Sequence, residues 1–390
     1  MILKIHLQIG ILATACLCLN AWAKEKDVVT DQWKTECVGR VQMDLPDRVE
    51  FALGFSLKQT GKKEAPGIRY FEFENGDVTG EADYRINDTL IDVSRDGNID
   101  DFLRYKQNFI KQRQEDRKKK KGLLALPPVM TKAHKTELPN SFAWSWHNDH
   151  IQGHLFRANR VFVGRVLDYK EEHAVFPEER FRYFLTNFSP RAIFELPSQQ
   201  GICFPYGFIR DDGTKLRYVS VAMRLLDHPD VEIVFLDTYA RKVSPHRLPE
   251  YKGSRDHAED SWSSYEIGES NELTINHYHD VDLGGFTGKY ATATIARPLD
   301  PAGTTRDREN QEQYSIRVER EMAEGKYLLD YGYMAYYKGD PDKPGEPDLK
   351  LSVIRTASRA LKAGKTPVTQ EELYAIAKKI AASIKRRPVQ

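Results

Sequence analysis

Only two of the four cysteines in this chain, Cys37 and Cys203, lie outside its first 23 residues. A bond between them would close a loop of 203 minus 37, or 166, residues, and would exclude every fold that keeps those two segments apart. The first 23 residues read as an export signal. Lys4 supplies the basic start, Ile5 to Leu19 an apolar run, and Ala21-Trp22-Ala23 an A-x-A cleavage site. Cleavage after Ala23 removes Cys16 and Cys18 and delivers an even pair to an oxidising compartment, the periplasm, where a disulfide is the simplest outcome. Chain entropy sets roughly 5 kcal/mol as the ceiling of its contribution. Two other readings stay open: separate buried thiols acting as small hydrophobes, or a cysteine nucleophile, although neither cysteine has a histidine nearby in sequence.

The leader has a second reading. Ala13-Thr14-Ala15-Cys16 loosely matches a lipobox, which would make Cys16 a lipidation site, but the usual leucine three residues before the cysteine is missing. The apolar run is shorter than the roughly 20 residues needed to span a bilayer, and no later segment comes close. No stable membrane insertion is expected after cleavage. Losing Lys4 brings Lys+Arg from 58 to 57, equal to the 57 Asp+Glu, and a neutral chain offers no electrostatic reason to bind nucleic acid.

The mature length, 390 minus 23 or 367 residues, exceeds what one ordinary core needs. From Val38 onward, short runs rich in Val, Ile, Tyr, Phe and Thr alternate with turn signals such as "ENGD", "RDDG" and "LDHPD". Two helices stand out. One starts near Asn98, carries Asp100 and Asp101 in its first turn and repeats Ile99, Phe102, Leu103, Phe109 and Ile110. It ends in Arg117 to Lys121, "RKKKK", either a solvated tail or an anion-binding patch. The other begins at Thr369 with Glu372 completing a capping box, and sets Leu373, Ile376, Ile380 and Ile384 at helical spacing. A break near "FELPSQQGICFP" divides the chain into halves, each opening on a cysteine-headed strand. The expected fold class is α+β: two mainly antiparallel-sheet domains with one or a few helices each, over 30–195 and 196–390, after the signal at 1–23.

Histidines mark the most enzyme-like stretches. "WHNDHIQGH" sets His147, His150 and His154 around Asp149 and invites a zinc reading. A two-residue turn at Asn148-Asp149 would make His147 and His150 cross-strand neighbours, with His154 four residues farther on, roughly 13 Å away. "NHYHD" places His277 and His279 on one face of a strand beside Asp280, a weak metal signal unless it combines in space with the first cluster. A secreted metal-dependent hydrolase using His147, His150 and His279 is the alternative function. Other signatures are missing: no G-x-S-x-G, H-E-x-x-H, Walker A or G-x-G-x-x-G occurs, and "DLGGFTGKY" reads as a turn between strands. The residues call for no catalytic group, cofactor or resident metal.

The stretches "CVGRVQMDLP", "GICFPYGFIRDDG", "HPDVEIVFLDTY" and "GGFTGKY", with a closing capped helix running to "SIKRR", resemble the type VI secretion lipase-immunity family. The resemblance implies a non-enzymatic periplasmic protein of two α+β lobes arranged as a claw, which binds and inhibits a cognate phospholipase effector and protects the producing cell. It transfers no binding residues. From composition, the contact expectation falls on "HAEDSWSSYEIGES", residues 257–270, read as a polar loop carrying Trp262 and Tyr265 beside Asp260 and Glu266. Packing of that loop on the core is the other reading.

Overall fold

A computed structural model describes residues 32–57, 71–119, 132–134, 136, 138–145, 150–167, 177–240, 253–263, 272–299, 311–343 and 345–387. The expected signal and Cys16 lie outside them. The first half opens with the hairpin β1 (Trp33–Val38) and β2 (Val41–Pro46), then β3 (Val49–Phe51), β4 (Phe71–Glu72), β5 (Val78–Thr79), β6 (Asp83–Ile86) and β7 (Thr89–Val93). It continues through α1 (Ile99–Lys119), β8 (Lys132–His134), β9 (Ser141–Ser145), β10 (His150–Arg157), β11 (Arg160–Leu167), α2 (Pro177–Asn187) and β12 (Phe188–Pro190). Next come β13 (Gly201–Phe204), β14 (Gly207–Arg210), β15 (Arg217–Leu225), β16 (Val231–Thr238), α3 (Ser254–Ser263), β17 (Glu272–Ile275), β18 (His279–Asp282) and β19 (Thr287–Pro298). The last stretch holds α4 (Gln311–Ala323), β20 (Tyr327–Tyr337), β21 (Asp348–Arg355), α5 (Ala357–Lys362), α6 (Gln370–Ser383) and β22 (Lys385–Arg386).

Strand pairing is antiparallel throughout these elements, as α+β folds of this kind require. Fourteen strands join one sheet in the order β17-β19-β20-β21-β16-β15-β6-β7-β11-β10-β9-β8, with β18 also on β19 and β3 also on β15. The halves 30–195 and 196–390 therefore do not fold on separate sheets: β15 pairs β6 on one side, Val219 opposite Tyr84, and β3 farther along, Met223 opposite Phe51. They also share a core, in which Met43, Phe71 and Phe162 pack with Val219, Phe235, Leu351 and Ile376. The near-continuous apolar run of β16 is buried along almost its whole length, as suits a central strand.

Both strong helices start where their caps put them. The Asn98 side chain accepts from the Asp101 amide at 2.8 Å, and Asp101 Oδ2 accepts from the Asn98 amide at 3.1 Å. Its stripe differs from the expected one: Phe102 is buried, whereas Ile99 and Leu103 are exposed. Thr369 and Glu372 form the full capping box, and Leu373, Ile376 and Ile380 are buried on α6.

The cysteines pair, with 5.7 Å between their Cα atoms. Residues 195–201, where the sequence suggests a break, belong to a tightly held junction around that bond. Gly39 and Cys203 exchange two backbone hydrogen bonds of 2.8 Å. Gly39 has φ +59°, and a Cβ there would lie 2.2 Å from the Asp237 carboxylate, so this turn of the first hairpin requires glycine. Glu36, buried, accepts from Arg191 and from the Phe194 amide at 2.6 Å. Arg387 donates to the carbonyls of Pro197 (2.7 Å), Gln199 (2.8 Å) and Gly201 (3.1 Å). Arg40 grips Asp211, and Arg217 grips Asp237.

Candidate functional site

The stretch expected to be a polar loop is, over Ser254–Ser263, the helix α3. Asp256 accepts from the Gly253 amide at 3.0 Å and caps its start. Ala258 and Trp262, four apart, form its buried face. Trp262 is 0% exposed and packs with Ala293, Ile295, Met334 and Ile354. A Cβ at Gly332 would meet its ring at 2.7 Å, so the glycine in β20 makes room for the indole. Trp262 is thus an anchor of the helix and not a surface side chain. Asp260 is exposed on the opposite face, while Tyr265 and Glu266 lie outside the described residues.

Beside α3 the sheet ends in an irregular edge. Ile275 on β17 faces Ala293 on β19, and His279 on β18 faces Tyr290, so four steps on one strand match three on the other. The extra residue is a bulge across 276–278. Asn276 extends the ladder of β17, its amide donating to the Thr292 carbonyl at 2.8 Å and its side chain to Thr292 Oγ1 at 2.8 Å. Beyond the bulge, the diglycine Gly284-Gly285, both at positive φ, turns β18 into β19, the turn expected from "DLGGFTGKY".

The bulge and the first turns of α3 enclose an open cleft of about 610 Å³, bordered by Arg255 and Glu259 on the helix and by Ile275 to His279 on the edge. Arg255 stands 5.3 Å over the Tyr278 ring. Burial first, and the Glu259 carboxylate second, push the Tyr278 phenol up to about 12, with Arg255 opposing. It stays a neutral donor at physiological pH. His277 and His279 are exposed, His279 against Tyr290 with ring centroids 5.4 Å apart, and Asp280 is paired to Lys289 at 2.6 Å. This is a polar surface of mixed charge with no nucleophile and base brought together, suited to recognition.

The other histidines go elsewhere. His154 is 0% exposed, stacked on Phe142 at 4.2 Å with its Nδ1 3.0 Å from the Tyr105 hydroxyl, a core histidine under α1. Ser145 faces Ile151, whereas a two-residue turn at Asn148-Asp149 requires Ser145 opposite Gln152. His147 itself, and the His150 side chain, lie outside the described residues. Seven strands separate β10 from β19 and its neighbour β18, so His279 shares no ion with the His150 region. Among the described residues no group of three or more His, Cys, Asp or Glu is placed to hold a metal, and no helix is long and apolar enough to cross a membrane. The hydrolase reading, which combines His279 with the His150 region, does not find the two together.

Sequence reasoning missed Arg255 and Glu259 because α3 carries only two buried residues, too few for a stripe. The spacing of Ala258 and Trp262 behind Asp256 was the available signal.

No family model matches this chain, and no curated protein matches it by sequence. Solved structures do match its fold. The immunity protein TplEi of the type VI secretion system from Pseudomonas aeruginosa, complexed with "L" peptide, is 16% identical with a TM-score of 0.52, covering 92% of this chain and 99% of that one. Apo TplEi gives 15% and 0.51, covering 92% and 98%. The Tle4-Tli4 complex contributes a chain with 17% and 0.54, again over 92% and 98%. At these identities the likeness is one of fold, and it runs through nearly the whole chain.

Proposed function

We propose that this protein is a periplasmic type VI secretion immunity protein that binds a cognate phospholipase effector and inhibits it stoichiometrically, with no turnover of its own. The observation that carries the reading is the shared fold with TplEi over 92% of the chain. The buried disulfide supports an oxidising compartment, reached through the leader at residues 1–23. His154 on β10 and His279 on β18 lie far apart in the strand order, so these two histidine stretches are not brought together.

We assign effector contact to the wing formed by α3 and the β17–β18 edge. Asp260 belongs to this surface directly, Trp262 holds the helix that presents it, and Tyr265 and Glu266 continue the chain from it. The TplEi structure with a bound peptide supports recognition of a linear segment by this fold.

The test is phospholipid hydrolysis by the type VI lipase effector of the same strain, titrated with protein starting at Lys24. Activity should fall linearly and vanish near one equivalent. Undiminished hydrolysis with no detectable complex would overturn the function.

A further inference from the structure

The pairing pattern along β17 shows which backbone groups have no strand to meet. In an antiparallel ladder, alternate residues direct their N–H and C=O toward the partner. Asn276 donates to Thr292, directly opposite it, so Thr274 and Glu272 also face β19. The N–H and C=O groups of Leu273 and Ile275 therefore point away from the sheet, and β17 is its terminal strand, with no described strand on that side. The two parts of this edge differ. In β18, Asp280 and Asp282 occupy the outward positions, the kind of charge that discourages edge pairing. In β17 the outward positions are Leu273 and Ile275, uncharged, with side chains packed toward Trp262.

We infer that β17 is a docking edge for an extended segment of the partner protein, which adds to the sheet as a further antiparallel or parallel strand through Leu273 and Ile275. This rests on the effector-binding reading above. An open row of N–H and C=O groups selects another extended backbone, because no side-chain surface reproduces that spacing. The bulge ends the pairing at Asn276 and turns the next residues aside, which opens the cleft where the added strand would leave the sheet. Its walls are a guanidinium, a carboxylate, an amide, two imidazoles, the Tyr278 phenol and Ile275, so the departing segment should be mainly polar and carry charges of both signs.

Two measurements test this with the mature protein and the same lipase effector. Single-residue amide exchange should show Leu273 and Ile275 exchanging freely in the protein alone, at dilute and high concentration, and slowing at least ~100-fold on effector binding. The Asn276 amide, already bonded, should be slow in both states. Protection at 273 and 275 without effector would mean that the chain itself or a second copy covers the edge, and would overturn the proposal. A complex that forms without protecting them would overturn it too while leaving the immunity function standing; absence of any complex with the wild-type protein would instead sink the function. Ile275→Pro removes only an outward N–H, which an edge strand tolerates, and should weaken binding roughly 30-fold or more relative to Ile275→Ala. Equal affinities of two folded variants would refute strand addition.

Discussion

The disulfide junction and the α3 wing treat their polar groups in opposite ways. At the junction, Glu36 and Asp237 are wholly buried and held by arginines, and Arg387 ties down the carbonyl groups of three alternate residues, Pro197, Gln199 and Gly201. On the wing, Arg255, Glu259, His277 and His279 stand around an open cleft beside a helix anchored by the buried Trp262. Buried charges that are fully paired fix one arrangement of the chain, whereas exposed ones contribute little to stability and stay available to a partner. The difference separates the part of the molecule that holds its shape from the part we propose for effector contact.

The largest expected effect is at the junction. Replacing both cysteines by alanine should lower the unfolding free energy by about 3–5 kcal/mol, read from urea denaturation, because it frees a 166-residue loop. Binding by the molecules that remain folded should be little changed. A loss of affinity without a loss of stability would break the contrast. On the wing, Trp262→Ala should destabilise by about 3–5 kcal/mol through the cavity it leaves, and Asp260→Ala by less than about 0.5 kcal/mol. Calorimetry of the effector complex should rank them the other way at equal folded concentration, with Asp260→Ala the more damaging per unit of stability lost. If Trp262→Ala leaves the melting temperature unchanged, the indole is not the anchor described.

The smallest effect concerns His257, which lies on the inner side of α3 with its ring 5.2 Å from that of Tyr336. Burial first, then Lys338, hold its imidazole below the usual value of 6.5, with Asp348, Asp260 and Asp256 opposing. The unfolded chain takes the proton before the folded one does. Stability is therefore greatest above about pH 6.5 and declines as pH falls from there through the folded value. Melting curves should show this decline, and His257→Gln should flatten it. An unaltered pH dependence in the variant would place the effect elsewhere.

Much of this was legible in the residues themselves. The strand-rich class, the caps of α1 and α6, the diglycine turn and the bond between Cys37 and Cys203 all depend on local chemistry or simple parity. The candidate site was half legible: the stretch around Asp260 and the motif of His277 and His279 were each visible, but nothing in the sequence joined them. Ala258 and Trp262 reveal a helix only once β19 and β20 lie beneath it. His154 looked like a ligand and is core, since its burial depends on Phe142 and Tyr105 arriving from other elements.

By itself, then, the sequence determined the strand-rich class, the caps of α1 and α6, the diglycine turn and the link between Cys37 and Cys203, because helix caps, tight turns and β-branched runs act through neighbours a few residues away. Tertiary structure alone decided that 195–201 is a clamp where a break between halves was expected, that both halves share one sheet, and that α3 meets the β17–β18 edge. Those outcomes depend on strand order and register, which are set by pairings between residues more than a hundred positions apart and leave no local trace.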